Sequence, residues 1–277
     1  MIKNKNKIII FSFIIIATVI FTGCKSFDEM KVKFGMKNND FEYIKQGRIK
    51  KIIIQSTRDK SFRFVVTDEI AIKNLYEILS ISKEVNEKST LESDYIFEMY
   101  EGVNKVHKFN YIAGLDKKDG ANLYSKDKSY IVSKRIDNDI IQNFWNIRKP
   151  IDFKTVYYDS ISKVLDNYVK GDVKNKKILL DISEDNEVSK FILSTDLEFF
   201  KRKLLNDFNI ELLKEKNTNC DVLINVKTEG YKATIYKSSV TIKTTLSEKE
   251  KIYYVVAKYE KNLWKIQIFE DKKPPEF

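Results

Sequence analysis

The sequence predicts an α+β protein of two domains, each a mainly antiparallel sheet with one or two packed helices, after a cleaved signal peptide. Three observations predict it. Runs of alternating apolar and polar residues are separated by short polar turns, which favours antiparallel pairing. A few segments among them carry apolar residues at helical spacing. Pro150 then stands between two successions of such elements. The predicted organisation is a signal peptide over 1–23, a tether over 24–47, domains over 48–149 and 151–271, and a tail over 272–277.

The leader has three parts. Lys3, Lys5 and Lys7 form a positive start without acids, and Ile8 to Phe21 is almost continuously apolar. That run is too short for a bilayer span of about twenty residues but suits the apolar part of an export signal. Phe21, Thr22, Gly23 and Cys24 follow. They resemble the lipobox of bacterial lipoproteins, with Phe21 where leucine is commonest. The resemblance implies cleavage before Cys24, a diacylglycerol on its thiol, and a chain held at the membrane on the extracytoplasmic face.

The tether is mixed and charged. The first domain then opens with Ile52 to Ile54 and with Phe62, Phe64 and Val66 as strands joined by a turn at Thr57 to Lys60. Thr67 or Asp68 caps a helix carrying Ile72, Leu75, Ile78, Leu79 and Ser82 on one stripe. Tyr95, Phe97 and Met99 share a strand face, as do His107, Phe109 and Tyr111, with Gly102 in the connection between these strands. Tyr130 to Val132 is a further strand. A closing helix bears Ile136, Ile140, Ile141, Phe144 and Trp145 and stops before Pro150. This succession, with Ser93, Asp94 and Tyr95 opening a strand, resembles the N-terminal domain of YhfM-like lipoproteins of Gram-positive bacteria, a resemblance that implies a fold and no activity.

In the second domain Ile161, Val164, Leu165 and Tyr168 predict a helix ended by Gly171. An apolar run spans Ile178 to Ile182. Thr195 and Glu198 read as a capping box ahead of Leu197, Phe200, Leu204 and Phe208. Cys220, Val222, Ile224 and Val226 share one strand face, and Thr234 to Leu246, Ile252 to Tyr259 and Leu263 to Phe269 add three strands. Ser247 to Lys251 makes a turn. Helices followed by a long meander closing on Trp264, Lys265 and Ile266 are similar to NTF2-like and cystatin-like folds, many of which hold a small ligand or dimerise.

Composition bounds the chemistry. The 277 residues hold Lys+Arg 50 and Asp+Glu 40, 43% hydrophobic and 13% aromatic residues, three Pro, two Cys and one His. These counts exclude collagenous, low-complexity and disulfide-rich classes. Loss of residues 1–23 leaves 47 − 40 = +7, with lysines dispersed among acids as on a solvated surface rather than a nucleic-acid face. Richness in Lys, Asn, Ile, Tyr and Phe suits a low-GC Gram-positive host.

His107 sits on an aromatic strand face and reads as packed rather than as a general base. Cys220 reads as an inert core thiol that has no intramolecular disulfide partner once Cys24 is lipidated. Glu184, Asp185 and Glu187, and Asp116 and Asp119 before Gly120, could hold a hard cation or act on a sugar, but read as solvated turns. Tyr157, Tyr158, Tyr253, Tyr254, Tyr259 and Trp264 read chiefly as core and cross-strand residues. No catalytic, metal or cofactor motif is found.

The expected function is that of a membrane-anchored extracytoplasmic lipoprotein, a non-catalytic binding module for a protein, a wall polymer or a small ligand. The alternatives are a carboxylate-dependent cell-wall or glycan hydrolase and a substrate-binding lipoprotein.

Overall fold

Period-two apolar patterning builds two sheets here, and each is closed by helices whose apolar stripes match it. The computed structural model of the chain describes residues 31–32, 34–141, 149–169, 176–215, 218–245 and 250–277. The leader with Phe21, Thr22, Gly23 and Cys24 lies outside the described residues, as do Phe144, Trp145, Gly171 and most of the turn expected at Ser247 to Lys251.

The first domain runs α1 (Glu42–Lys45), β1 (Ile49–Ser56), β2 (Arg63–Val66), α2 (Glu69–Ser80), β3 (Lys83–Glu84), β4 (Tyr95–Glu101), β5 (Lys105–Tyr111), β6 (Leu123–Tyr124) and β7 (Ser129–Ile131). Its seven strands lie in the order β2-β1-β4-β5-β6-β7-β3, and neighbouring strands pair antiparallel. Asp68 caps α2, its carboxylate accepting the Ala71 N–H at 2.7 Å. The stripe of Ile72, Leu75, Ile78 and Leu79 is buried against Ile52, Ile54, Phe97 and Met99.

Two features depart from the sequence reading. The segment assigned to the tether carries α1, and its Phe41 and Ile44 belong to the core; Phe41 is fully buried against Phe109 and Tyr130. Ile136–Ile141, expected to open a regular helix, winds with π-type hydrogen bonding.

The second domain runs α3 (Phe153–Val169), β8 (Ile178–Asp181), α4 (Ser194–Lys203), β9 (Glu211–Leu212), β10 (Val222–Lys232), β11 (Ile235–Thr244), β12 (Glu250–Glu260) and β13 (Leu263–Glu270). The sheet order is β13-β12-β11-β10-β8-β9. The last four strands form the expected antiparallel meander. β8 pairs parallel with both β10 and β9, and all four of its residues are buried. A strand covered on both faces needs a nearly continuous apolar run, which Ile178, Leu179 and Leu180 supply before the buried Asp181. Inward-facing Val222, Ile224, Val226, Val240 and Val255 meet Val156, Ile161, Val164 and Leu165 of α3. The tail is also packed. Phe277 meets the Tyr254 ring edge-on at 5.0 Å, Glu276 pairs with Lys258, and Pro274 is buried.

Phe97 tests the first core, since it is 1% exposed and packs edge-on to Tyr111 at 5.8 Å. Phe97→Ala should lower unfolding free energy by about 3–5 kcal/mol in urea titrations, whereas Val103→Ala, at an exposed turn, should stay within about 0.5 kcal/mol.

Candidate functional site

The strands of the first sheet end together at Ser56, Tyr95 and Tyr111, which are register partners across β1, β4 and β5. Just beyond them stand Thr57, Arg58, Asp94 and Ala113. This end of the sheet meets the start of α4 in the second domain.

Asp94 is the centre of that joint, with its side chain 1% exposed. One carboxylate oxygen, Oδ1, accepts Arg58 Nη1–H at 2.6 Å and the Ser194 backbone N–H at 2.7 Å. The other accepts the Ala113 backbone N–H at 2.9 Å. Arg58 Nη2 donates to Ser194 Oγ at 2.6 Å, and Thr195 Oγ1 donates to the Ala113 carbonyl at 3.3 Å. Leu193 packs onto the first domain's core. The backbone around Asp94 is fixed in turn, because its N–H donates to the Tyr111 carbonyl and its carbonyl accepts from Thr57.

A second carboxylate, half-buried, steadies the same loop. Asp137 accepts the Tyr111 hydroxyl at 3.0 Å and the Gly114 N–H at 3.0 Å. Gly114 has φ 69, a left-handed conformation that suits glycine, and it lies beside Thr195 of the second domain. Burial pushes the Asp94 carboxyl above its ordinary range, while Arg58 and the two N–H groups pull it back. Burial likewise raises Asp137.

Beside this joint the domains leave a cleft of about 550 Å³ lined by residues of both. Arg58, Lys88, Lys201 and Arg202 bring positive charge to it, and Glu92, Asp119 and Glu198 bring negative charge. Glu198 is paired with Lys201 at 3.6 Å and with Arg202 at 3.7 Å. The first residues of α4, Ser194 and Thr195, form part of the wall. Such a surface suits a polar ligand with hydrogen-bonding groups of both kinds. It brings together hydroxyls and cations but no imidazole, since His107 lies near the opposite end of β5.

The residues singled out from sequence are scattered. His107 is stacked on Tyr43 at 3.9 Å between ring centres, and its Nε2 lies 2.7 Å from Glu101 Oε2. Glu101 also binds Arg48 and Lys105. This cluster holds the hairpin to the entering chain, and the expectation of a packed imidazole matches it. Hydrogen bonds from His107, and then from Lys105 and Arg48, pull Glu101 down to about 2.

Cys220 is corrected: it precedes β10 instead of belonging to it and is only half-buried. Asp185 is corrected as well. Glu184 and Glu187 are exposed as expected, but Asp185 is 1% exposed and accepts the Thr228 N–H at 3.0 Å and the Thr228 hydroxyl at 2.8 Å. Asp116 caps the short 3-10 turn Lys117–Asp119. Tyr157, Tyr158 and Tyr253 are core residues, and Tyr259 packs against Trp264 at 5.2 Å. Among the described residues no group of His, Cys, Asp and Glu could hold a metal ion.

The joint itself was not found from sequence. Arg58 falls in an expected turn, and Ser194 precedes the expected capping box at Thr195, which lies two residues after the observed cap position, Leu193. The helix starts at Ser194 without a side-chain cap of its own, and Thr195 and Glu198 are engaged elsewhere. A charged residue directly before a buried strand, as Asp94 is before Tyr95, was the one available signal.

Arg58→Ala should strand the buried Asp94 carboxylate and cost about 3–5 kcal/mol at neutral pH, read by urea unfolding. The deficit should shrink as the solution is acidified. A carboxyl whose folded pKa is raised contributes stability below its unfolded pKa and loses it as pH rises through the folded one, and protonated Asp94 needs no countercharge. Glu101 has the opposite sign. Its carboxyl should remain ionised on acidification until about pH 2, well below the ordinary 4.5, and the stability it lends the hairpin should fade over that window. Carboxyl-carbon NMR titration of Glu101 checks this.

Comparison with known proteins bears on the first domain. No curated protein and no solved structure matches the chain. A family model described as YhfM protein matches residues 45–150, so the first domain, from the end of α1 to Pro150, is similar to that family, as Ser93, Asp94 and Tyr95 had suggested.

Proposed function

We propose that this chain is a membrane-anchored extracytoplasmic lipoprotein whose two domains form a non-catalytic binding module, with the cleft beside the Asp94 joint as the place where a ligand sits. The observation that carries the reading is Phe21-Thr22-Gly23-Cys24 directly after a basic and then apolar leader. The cleft supports the second half of the reading. It is concave, is shared between the domains and is rich in hydrogen-bonding groups, as binding sites at domain boundaries are.

A glycan hydrolase would present two converging carboxylates with sugar-stacking rings beside them. Glu198 is instead turned to Lys201 and Arg202, and the described lining of the cleft contains no aromatic side chain. The mainly antiparallel sheets, in which among the described strands only β8 pairs parallel, also favour an interaction module over the parallel-sheet lobes expected of a substrate-binding lipoprotein.

Metabolic palmitate labelling with membrane fractionation tests the anchor. The native chain should carry label and sediment with membranes, and Cys24→Ala should lose both. Membrane retention without label would assign the apolar leader to an uncleaved span and end the lipoprotein reading. A photocrosslinker placed at Thr90 in the cleft should give a discrete adduct in cells that is missing when the same group replaces Leu263. Adducts of equal yield at both places would remove the cleft from the proposal.

A further inference from the structure

The entering chain and the joint lie at opposite ends of the same strands. Ile49 pairs with Glu101, which pairs with Lys105, so the beginning of β1 and the β4–β5 hairpin share one end of the sheet. Arg58, Asp94 and Ala113 follow or precede the other ends. β1 has eight residues, which separates the two ends by about 25 Å at roughly 3.3 Å per residue.

Exposed apolar side chains gather where the chain enters. Val103, 95% exposed, tips the β4–β5 hairpin, and Val106 follows it. Ile70, 70% exposed, rims a surface groove of about 440 Å³ whose other walls include Ile44 and Ile49. Phe34 and Met36 are exposed in the residues leading into the domain. Most charges at this end are paired: Lys37 with Glu77, Lys45 with Glu42, Lys50 with Glu69, and both Arg48 and Lys105 with the single carboxylate of Glu101. The face is distinguished by its apolar tips more than by its small positive excess.

We propose that this end of the first domain rests on the outer surface of the lipid bilayer, with Val103 and Ile70 entering the headgroup zone. The inference rests on the anchored-lipoprotein reading. From Cys24 to Asn38, whose amide donates to the Ser80 carbonyl, the chain has 14 residues, a reach of at most roughly 50 Å. A lipid on Cys24 would hold this end of the domain at a higher effective concentration next to the membrane than the joint, which lies a strand length further from the anchor. A few apolar side chains that could not bind a membrane alone are then enough to set the orientation. Because most of the charges are paired, the contact depends only weakly on lipid charge. The joint and its cleft are held away from the bilayer, open to the wall space.

The full chain with Cys220→Ser and either Val103→Cys or Leu263→Cys, each labelled with an environment-sensitive fluorophore, is reconstituted through its own lipid into vesicles. The vesicles are phosphatidylcholine with or without phosphatidylglycerol, and include brominated lipid as quencher. The emission at position 103 should fall about twofold in both lipid compositions, while that at 263 stays unchanged. Unquenched emission at 103, or equal quenching at both positions, in protein that still floats with the vesicles would overturn the orientation and assign the apolar tips to a protein partner. Failure of the unlabelled native chain to float with vesicles would instead remove the anchor, and the orientation with it.

Discussion

A carboxylate taken out of water is tolerated only where enough donors replace the water, and the arrangement of this chain depends on how that condition is met at Asp94. The donors come from three separate stretches: the Arg58 guanidinium from the turn after β1, the Ala113 amide from the loop after β5, and the Ser194 amide from the start of α4. Two of these belong to the first domain and one to the second. The requirement is directional as well as electrostatic, because each donor approaches along its own line. Charge-assisted hydrogen bonds of this kind are stronger than neutral ones and fix geometry more tightly. Apolar packing of Leu193 on the first core adds area to the contact. It cannot by itself choose one angle between the domains.

The same contact explains why α4 begins where it does. A helix leaves its first amides without partners, and these are normally met by a side chain just before the helix. Leu193 cannot supply one, so the Ser194 amide is met by Asp94, 100 residues earlier in the chain. The start of a helix in one domain is thus completed by the other. Arg58 contributes a second link by binding Ser194 Oγ while it neutralises Asp94. The joint and the first turn of α4 form a single unit, which places Ser194 and Thr195 at fixed positions in the cleft wall.

How far the sequence could be read follows from the range of the interactions. Strands whose inner faces repeat every second residue, such as Tyr95, Phe97 and Met99 or Val222, Ile224 and Val226, were legible because that signal is local. So was the cap at Asp68, three residues from its partner amide. The parallel pairing of β8 was visible only as an apolar run, since nothing local distinguishes a strand's partners. Asp185 was misread because its neighbours are polar, and its burial is set by Thr228 on a distant strand. The candidate site lay beyond reach for the same reason. Arg58 and Asp94 are 36 residues apart and Arg58 and Ser194 are 136 apart, and no pattern of spacing joins them.

The polarity of the first sheet ties these observations to function. Its strands run between an end that receives the entering chain, braced by Arg48, Glu101 and His107, and an end that carries the second domain, braced by Asp94 and Arg58. Both braces are ionic clusters, yet they differ in burial. The Glu101 side chain is 13% exposed and shares its charge among cations that reach solvent, whereas Asp94 is enclosed. An ionic cluster that reaches solvent is screened by salt more than an enclosed one. The contact between the domains at Asp94 is therefore the less salt-sensitive of the two braces, and the cleft wall built on it at Ser194 and Thr195 shares that insensitivity.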